Sequence, residues 1–159
     1  MSATIGLATL LQDLIDRIAA LAAGQTWLTE DGAAVALACY RYALPNTALD
    51  QGGPGPFPYL IARPIGGSQG TAEGRFQIRL AAGLHNTGDD GDGDADVERL
   101  AAIILQLPLD QEFSPFALDI TAIELQFGAK GDDLHLGRQP HPEYYLTADL
   151  WFNREAVYF

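Results

Sequence analysis

The chain is poor in cysteine and in bases, and each scarcity excludes something. Cys39 is the only cysteine. One cysteine permits no internal disulfide and no cysteine-built metal site. It lies between Ala38 and Tyr40 in an apolar run and reads as a small buried hydrophobe rather than a nucleophile. There are nine bases against 21 acids, a net charge of -12, and Lys130 is the only lysine. The bases stand singly along the chain, so no arginine-rich segment suits phosphate contacts. A protein of this charge repels nucleic acid and anionic membranes. No run reaches the 18 apolar residues needed to span a bilayer. No basic region precedes the first apolar residues, so a signal peptide is not expected, and the chain reads as a soluble protein made in a cytoplasm.

What is present is a core. Hydrophobic residues are 48% of the 159, which argues against disorder and for one domain. The stretch from Glu73 to Leu107 organises it. Phe76, Ile78 and Leu80 share one parity and Arg75, Gln77 and Arg79 the other, which predicts a strand over 75–85 with one buried face. An acidic glycine-rich loop is predicted from Asn86 to Asp96. Val97, Leu100, Ala101, Ile104 and Leu107 recur at helical spacing and predict a helix over 96–107.

Around that unit, a stripe of Leu7, Leu11, Leu14, Ile18 and Leu21 predicts a helix over 4–23. Thr4 or Ser2 is its N-cap, and Gly24 the residue that ends it. Thr29 to Gly32 reads as a turn. Residues 33–44 suit a strand better than a helix, since a strand there gives the later hairpin a neighbour. Glycine and proline deny regular structure to 45–56. A strand is predicted over 57–65, closed by Pro64. Residues 66–74 form either a mobile loop or the tip of an extended arm. Further strands are predicted over 117–127 and 143–153, with connections at 108–115 and 128–142. The sum is an α+β domain over 1–159, with a mixed or antiparallel sheet of four to five strands and two packed helices.

The most tempting chemistry is acidic. Asp89, Asp90, Asp92, Asp94, Asp96 and Glu98 put six carboxylates into ten residues. A calcium loop of the EF-hand type needs Gly at its sixth position and Glu at its twelfth. Counted from Asp90, these positions hold Ala95 and Ala101. Asp90, Asp92, Asp94 and Asp96 therefore stay an alternative metal set, and the primary reading is a solvated loop leading into a helix capped by Asp94 or Asp96. His85, His135 and His141 form no paired metal motif, although His135, His141 and Glu143 lie within nine residues. Ser2, Ser68 and Ser114 stand in no nucleophile turn, and no glycine loop cradles phosphate. No catalytic residue, no cofactor and no enzymatic activity are expected. Tyr144 and Tyr145 are adjacent in a strand, so one points to the core and the other is available to an interface.

The layout resembles the tail terminator (tail completion) proteins of tailed bacteriophages and the minor tail proteins of related prophages. The resemblance rests on the helix from Leu7 to Ala22, the segment Phe57-Pro-Tyr-Leu-Ile-Ala-Arg-Pro64, and the strand from Phe76 to His85. It continues through the acidic loop, the helix from Val97 to Leu107 and the closing Pro142-Glu-Tyr-Tyr-Leu-Thr-Ala-Asp-Leu-Trp-Phe152. It implies a small α+β subunit of a ring, commonly a hexamer, that caps the tail tube, ends its polymerisation and offers a surface to head–tail connector or neck proteins. It implies a place in the virion tail, assembled in the bacterial host cytoplasm, with no membrane partner. DNA would pass through such a ring without specific binding, and an acidic lumen would repel its phosphates. Asp89, Asp90, Asp92, Asp94, Tyr144 and Tyr145 are then the expected lumen or interface residues. The 66–74 loop, the 45–56 loop and the first helix are the expected inter-subunit elements. The alternatives are a neck or head–tail completion protein, a calcium-responsive binding module and a hydrolase or isomerase built around His85.

Overall fold

In the computed structural model, the described residues are 7–44, 56–69, 74–88, 92–107, 116–118, 123–129 and 143–154. They begin with α1 (Leu7–Leu21), a small hairpin of β1 (Trp27–Leu28) and β2 (Ala34–Val35), and β3 (Ala38–Arg41). Two long strands follow, β4 (Tyr59–Gln69) and β5 (Gly74–His85). Then come α2 (Asp92–Leu105), β6 (Phe116–Leu118), β7 (Glu124–Ala129) and β8 (Glu143–Arg154). The main sheet runs β3-β4-β5-β8, with β6 and β7 both on the outer side of β8. β3 is parallel to β4 and every other pairing is antiparallel, so the sheet is mixed. Its six strands fill five positions, because β6 pairs Phe152 to Arg154 while β7 pairs Tyr144 to Asp149. The fold is α+β, as the periodicities predict.

β5 and β8 carry the sheet. Their ladder runs from Gly74↔Arg154 to His85↔Glu143 without a register break. Even-numbered residues of both strands face the helices: Ile78, Leu80, Ala82 and Leu84 from β5, and Leu146, Ala148, Leu150 and Phe152 from β8, all buried. Across the ladder small side chains alternate with large ones. Leu60, Ala82 and Leu146 make one row, and Ala62, Leu80 and Ala148 the next. The alanines form hollows that helix side chains enter, the condition for dense packing between layers. Leu10, Leu11, Leu14 and Ile18 of α1 and Val97, Leu100 and Ile104 of α2 complete the same buried cluster.

The structure moves several predicted boundaries. α1 begins at Leu7 and ends at Leu21, inside the predicted 4–23, and Gly24 follows at φ 82°, the left-handed geometry that ends a helix. Thr4 and Ser2 lie outside the described residues. The Thr29 to Gly32 turn forms as predicted. Thr29 Oγ1 accepts the Ala33 N–H at 3.1 Å, and Gly32 adopts φ 84°. β3 does supply the predicted neighbour to the hairpin, at β4.

Pro64 does not end its strand. The ladder continues to Gln69↔Gly74 through a register shift between Pro64 and Gly66. β3 pairs β4 only as far as Ala62, so Pro64 lies where one side of β4 has no ladder to interrupt. Of the predicted 66–74 connection, residues 66–69 and Gly74 are strand, which agrees with the extended-arm alternative rather than the mobile loop, and residues 70–73 lie outside the described residues. The predicted 117–127 strand is two segments on one neighbour, which accounts for its imperfect alternation.

The second helix starts at Asp92, four residues before the predicted Asp96. Its first turn contains Gly93, over which the Tyr144 ring lies so closely that a Cβ would collide with it. Glycine is a poor helix former, and here contact with the sheet outweighs propensity. Asp92 and Asp94 in that turn meet the positive end of the helix, which favours them by a few tenths to about 1 kcal/mol each. Gly93→Ala should destabilise the protein by about 1–3 kcal/mol in chemical denaturation, although alanine is the better helix former. A neutral or stabilising result would show that the Tyr144 ring yields readily.

Candidate functional site

The acidic segment is partly helix, and this divides its carboxylates. Asp92 and Asp94 are exposed. At roughly 100° per residue Asp94 lies on the other side of the axis from Asp92 and Asp96, which are only about 40° apart, so the three do not converge on one ion. The capping role expected of Asp94 or Asp96 is excluded, because both lie inside the helix. Asp89 and Asp90 lie outside the described residues. Among the described residues, no three of His, Cys, Asp and Glu come together as a metal site.

Asp96 instead acts as a clamp. One carboxylate oxygen accepts a hydrogen bond from Asn86 Nδ2 at 2.9 Å, and the other from Arg99 Nη2 at 3.0 Å. Its backbone carbonyl accepts from Trp27 Nε1 at 3.4 Å. Arg99 also donates to the Thr26 carbonyl at 2.8 Å and lies 4.4 Å over the Trp27 ring. Asn86 is the one polar residue in the buried set among the described residues, and its Oδ1 accepts the Gly88 N–H at 2.7 Å. The clamp thus ties the end of β5, the start of α2 and the N-terminal hairpin together.

The other surface of interest is the sheet face away from the helices. It carries the odd-numbered residues of β5 and β8, with Tyr59, Ile61 and Arg63 from β4 and Glu124 and Gln126 from β7 at the same register. At one end, the Tyr59 ring lies over Gly83, where any Cβ would strike it. Phe57 packs against Tyr59, His85 and Tyr145 at ring-centroid distances of 5.6, 5.7 and 6.5 Å. Tyr145 donates its hydroxyl hydrogen bond to Glu143 Oε2 at 3.1 Å. In mid-face, Arg79 holds Asp149 by two hydrogen bonds, Nε to Oδ1 at 2.8 Å and Nη2 to Oδ2 at 3.0 Å. At the far end, Arg75 lies 4.7 Å over the Trp151 ring and reaches Asn153 Oδ1 at 3.5 Å. No described helix or strand crosses this face.

Two phenols on this face and one thiol on the other side of the sheet are raised in pKa. Burial, then the Glu143 hydrogen bond and charge, push the Tyr145 phenol up to about 12. Burial and the Glu143 charge raise Tyr59 as well. Cys39 has inward parity and packs against the core, and burial pushes its thiol up to about 11. A thiol so raised is the opposite of an activated nucleophile.

Of the two adjacent tyrosines, Tyr145 is on the open face, as an interface residue requires. Tyr144 is not: it is 3% exposed beneath Gly93. Its expected interface role is corrected by strand parity, which turns its ring under α2. Burial raises its phenol, with the charges of Asp94, Asp92 and Asp96 adding to the effect. His85 borders the aromatic group at the end of the open face, opposite Glu143 in the ladder. His135, His141, Ser2 and Ser114 lie outside the described residues. The pairs Arg79–Asp149 and Asn86–Asp96 are not evident in the sequence. Only the odd parity of Arg79 and Asp149 within their strands hinted at the first. No protein-family model matches the chain, and no curated protein matches it.

Asn86→Ala leaves Asp96 short of a donor in a half-buried place and should cost about 1–3 kcal/mol. An unchanged urea midpoint would show that the clamp does not need it. Tyr145 has a folded pKa of about 12, above the ordinary tyrosine value near 10. The stability it contributes is complete below about pH 10 and is lost as pH rises toward 12, because the unfolded chain gives up that proton first. Melting temperatures measured from pH 9 to 12 should therefore fall less steeply in Tyr145→Phe than in the wild type.

Proposed function

We propose that the protein is a structural assembly subunit, a phage tail terminator that forms a ring, caps the tail tube and ends its polymerisation. The observation that carries this reading is the sheet itself. Both helices pack on one face, and the other holds tyrosine, tryptophan and paired charges with no described element over it. Such a face suits contact with another protein better than chemistry on a small molecule, since aromatic and arginine side chains are enriched at interfaces. The raised phenols of Tyr59 and Tyr145 agree with a surface that binds rather than reacts.

In this reading the partners are further copies of the chain in a hexameric ring, the tail tube protein, and the connector or neck proteins above it. The ring is built from heterologous contacts, in which two different patches of each subunit meet. Asp92 and Asp94, exposed on different sides of the start of α2, make that end of the helix negative, and at a ring lumen this charge keeps passing DNA from adhering. The acidic residues then serve repulsion rather than ligation, which accords with their divergence on the helix.

The test is the mass in solution by light scattering after size exclusion, with negative-stain images of the same peak, alone and mixed with tube protein. The expected result is a closed ring of about six 17.1 kDa subunits that sits on tube ends and stops their growth. A monomer that leaves tube growth unchanged would overturn the reading.

A further inference from the structure

The open face has a charge layout unlike the rest of the molecule. Among the described residues, three bases, Arg63, Arg75 and Arg79, and three acids, Glu124, Glu143 and Asp149, lie on it. Two copies of a chain with net charge -12 repel one another over most approaches. This face is balanced, so it is a place where they can meet without that penalty. The balance is also ordered. One row across the sheet reads Arg63, Arg79, Asp149, Glu124, two cations followed by two anions. Arg63 stands directly opposite Arg79 on the neighbouring strand, a like-charge contact that is unfavourable within one subunit. Arg79 is relieved by Asp149 on its other side. Arg63 and Glu124 are exposed, and neither has an ion pair among the described residues.

We propose that this face binds the same face of a second copy, about a two-fold axis that runs along the strands between β5 and β8. Rotation about that axis exchanges the two halves of every row. Arg63 meets Glu124 of the other copy, the Arg79–Asp149 pair meets its own inverse, and His85 meets Glu143. The other in-plane axis, across the strands and centred on this row, places Arg79 on Arg79 and Asp149 on Asp149. Charge therefore selects one axis. Stacked sheets lie about 10 Å apart, and with strands aligned the arrangement is an ordinary sandwich. From strand spacing and rise, each copy offers on the order of 600 Å², which puts the total near the lower bound for specific interfaces. Trp151 and Tyr145 supply large rings on either side of the charged row. This contact joins one patch to itself, whereas a ring joins two different patches, so it goes beyond the ring reading; both draw on the same open face, and with that face paired the heterologous ring contacts are made elsewhere on the subunit.

The test uses the full chain and two charge reversals, Arg63→Glu and Glu124→Arg. Both sites are exposed, so each variant should keep the circular dichroism and melting temperature of the wild type. Wild type should show an even number of subunits by light scattering, and each variant should dimerise at least about tenfold more weakly. An equimolar mixture of the variants should recover wild-type association, because each reversed charge then faces its opposite. Independently, Ala81→Cys in a Cys39→Ala background should be joined into a dimer by a thiol crosslinker about 10 Å long. Ala20→Cys, on the exposed side of α1, should not. Wild-type monomers, reversal variants of unchanged mass, a mixture that recovers nothing, or crosslinking through Ala20 alone would each overturn the proposal. A ring on tube ends that is indifferent to both reversals would remove this contact and leave the proposed function standing.

Discussion

The unbroken ladder between β5 and β8 is the constraint on which the rest depends. A side-chain period of two makes register absolute: a slip of one residue would move Leu80 and Leu146 to the open face and Arg79 and Asp149 into the core. The hydrophobic pattern forbids that slip, and the Arg79–Asp149 pair reinforces the correct register from the other side. Everything else attaches to these two strands. β4 lies against β5, β6 and β7 lie against β8, and both helices cover the even-numbered face.

Where the layers come closest, the chain has removed atoms. Alanine alternates with leucine under the helices, and glycine stands beneath each of two tyrosine rings. Gly93 on the helix receives Tyr144, and Gly83 on the sheet receives Tyr59. Helix or strand propensity is given up at both places, by roughly 0.5–1 kcal/mol, in exchange for buried ring area. The two glycines lie on opposite sides of the sheet, so close packing is not confined to the helix-covered core.

Much of this was legible in the sequence, and the failures have physical causes. The alternation of Phe76, Ile78 and Leu80 gave β5, and the stripe from Leu11 to Ile18 gave α1, because both patterns are long and local. The start of α2 was misplaced because glycine and aspartate locally disfavour helix, whereas Tyr144, some fifty residues away, favours it there. Pro64 looked like a terminator because a lone proline does not disclose that β3 stops short of it. The candidate residues divided similarly. Opposite parity correctly separated Tyr144 from Tyr145 but could not say which was buried. Asp96 looked like one more loop carboxylate, since its partners Asn86, Arg99 and Trp27 are brought to it by tertiary structure alone.

The Asp96 clamp also bears on how the molecule opens. Lifting the hairpin that carries Trp27 would take away the indole and the Thr26 carbonyl that hold Arg99, and would weaken the neutralisation of Asp96. Fraying α2 from its start through Asp96 would strip Asn86 of its acceptor and uncover the same indole. Each local opening thus carries the cost of the other, so two segments about seventy residues apart in the chain come free together. They form one cooperative unit, and their backbone amides should share a common rate of opening in place of a gradient of fraying from the helix end.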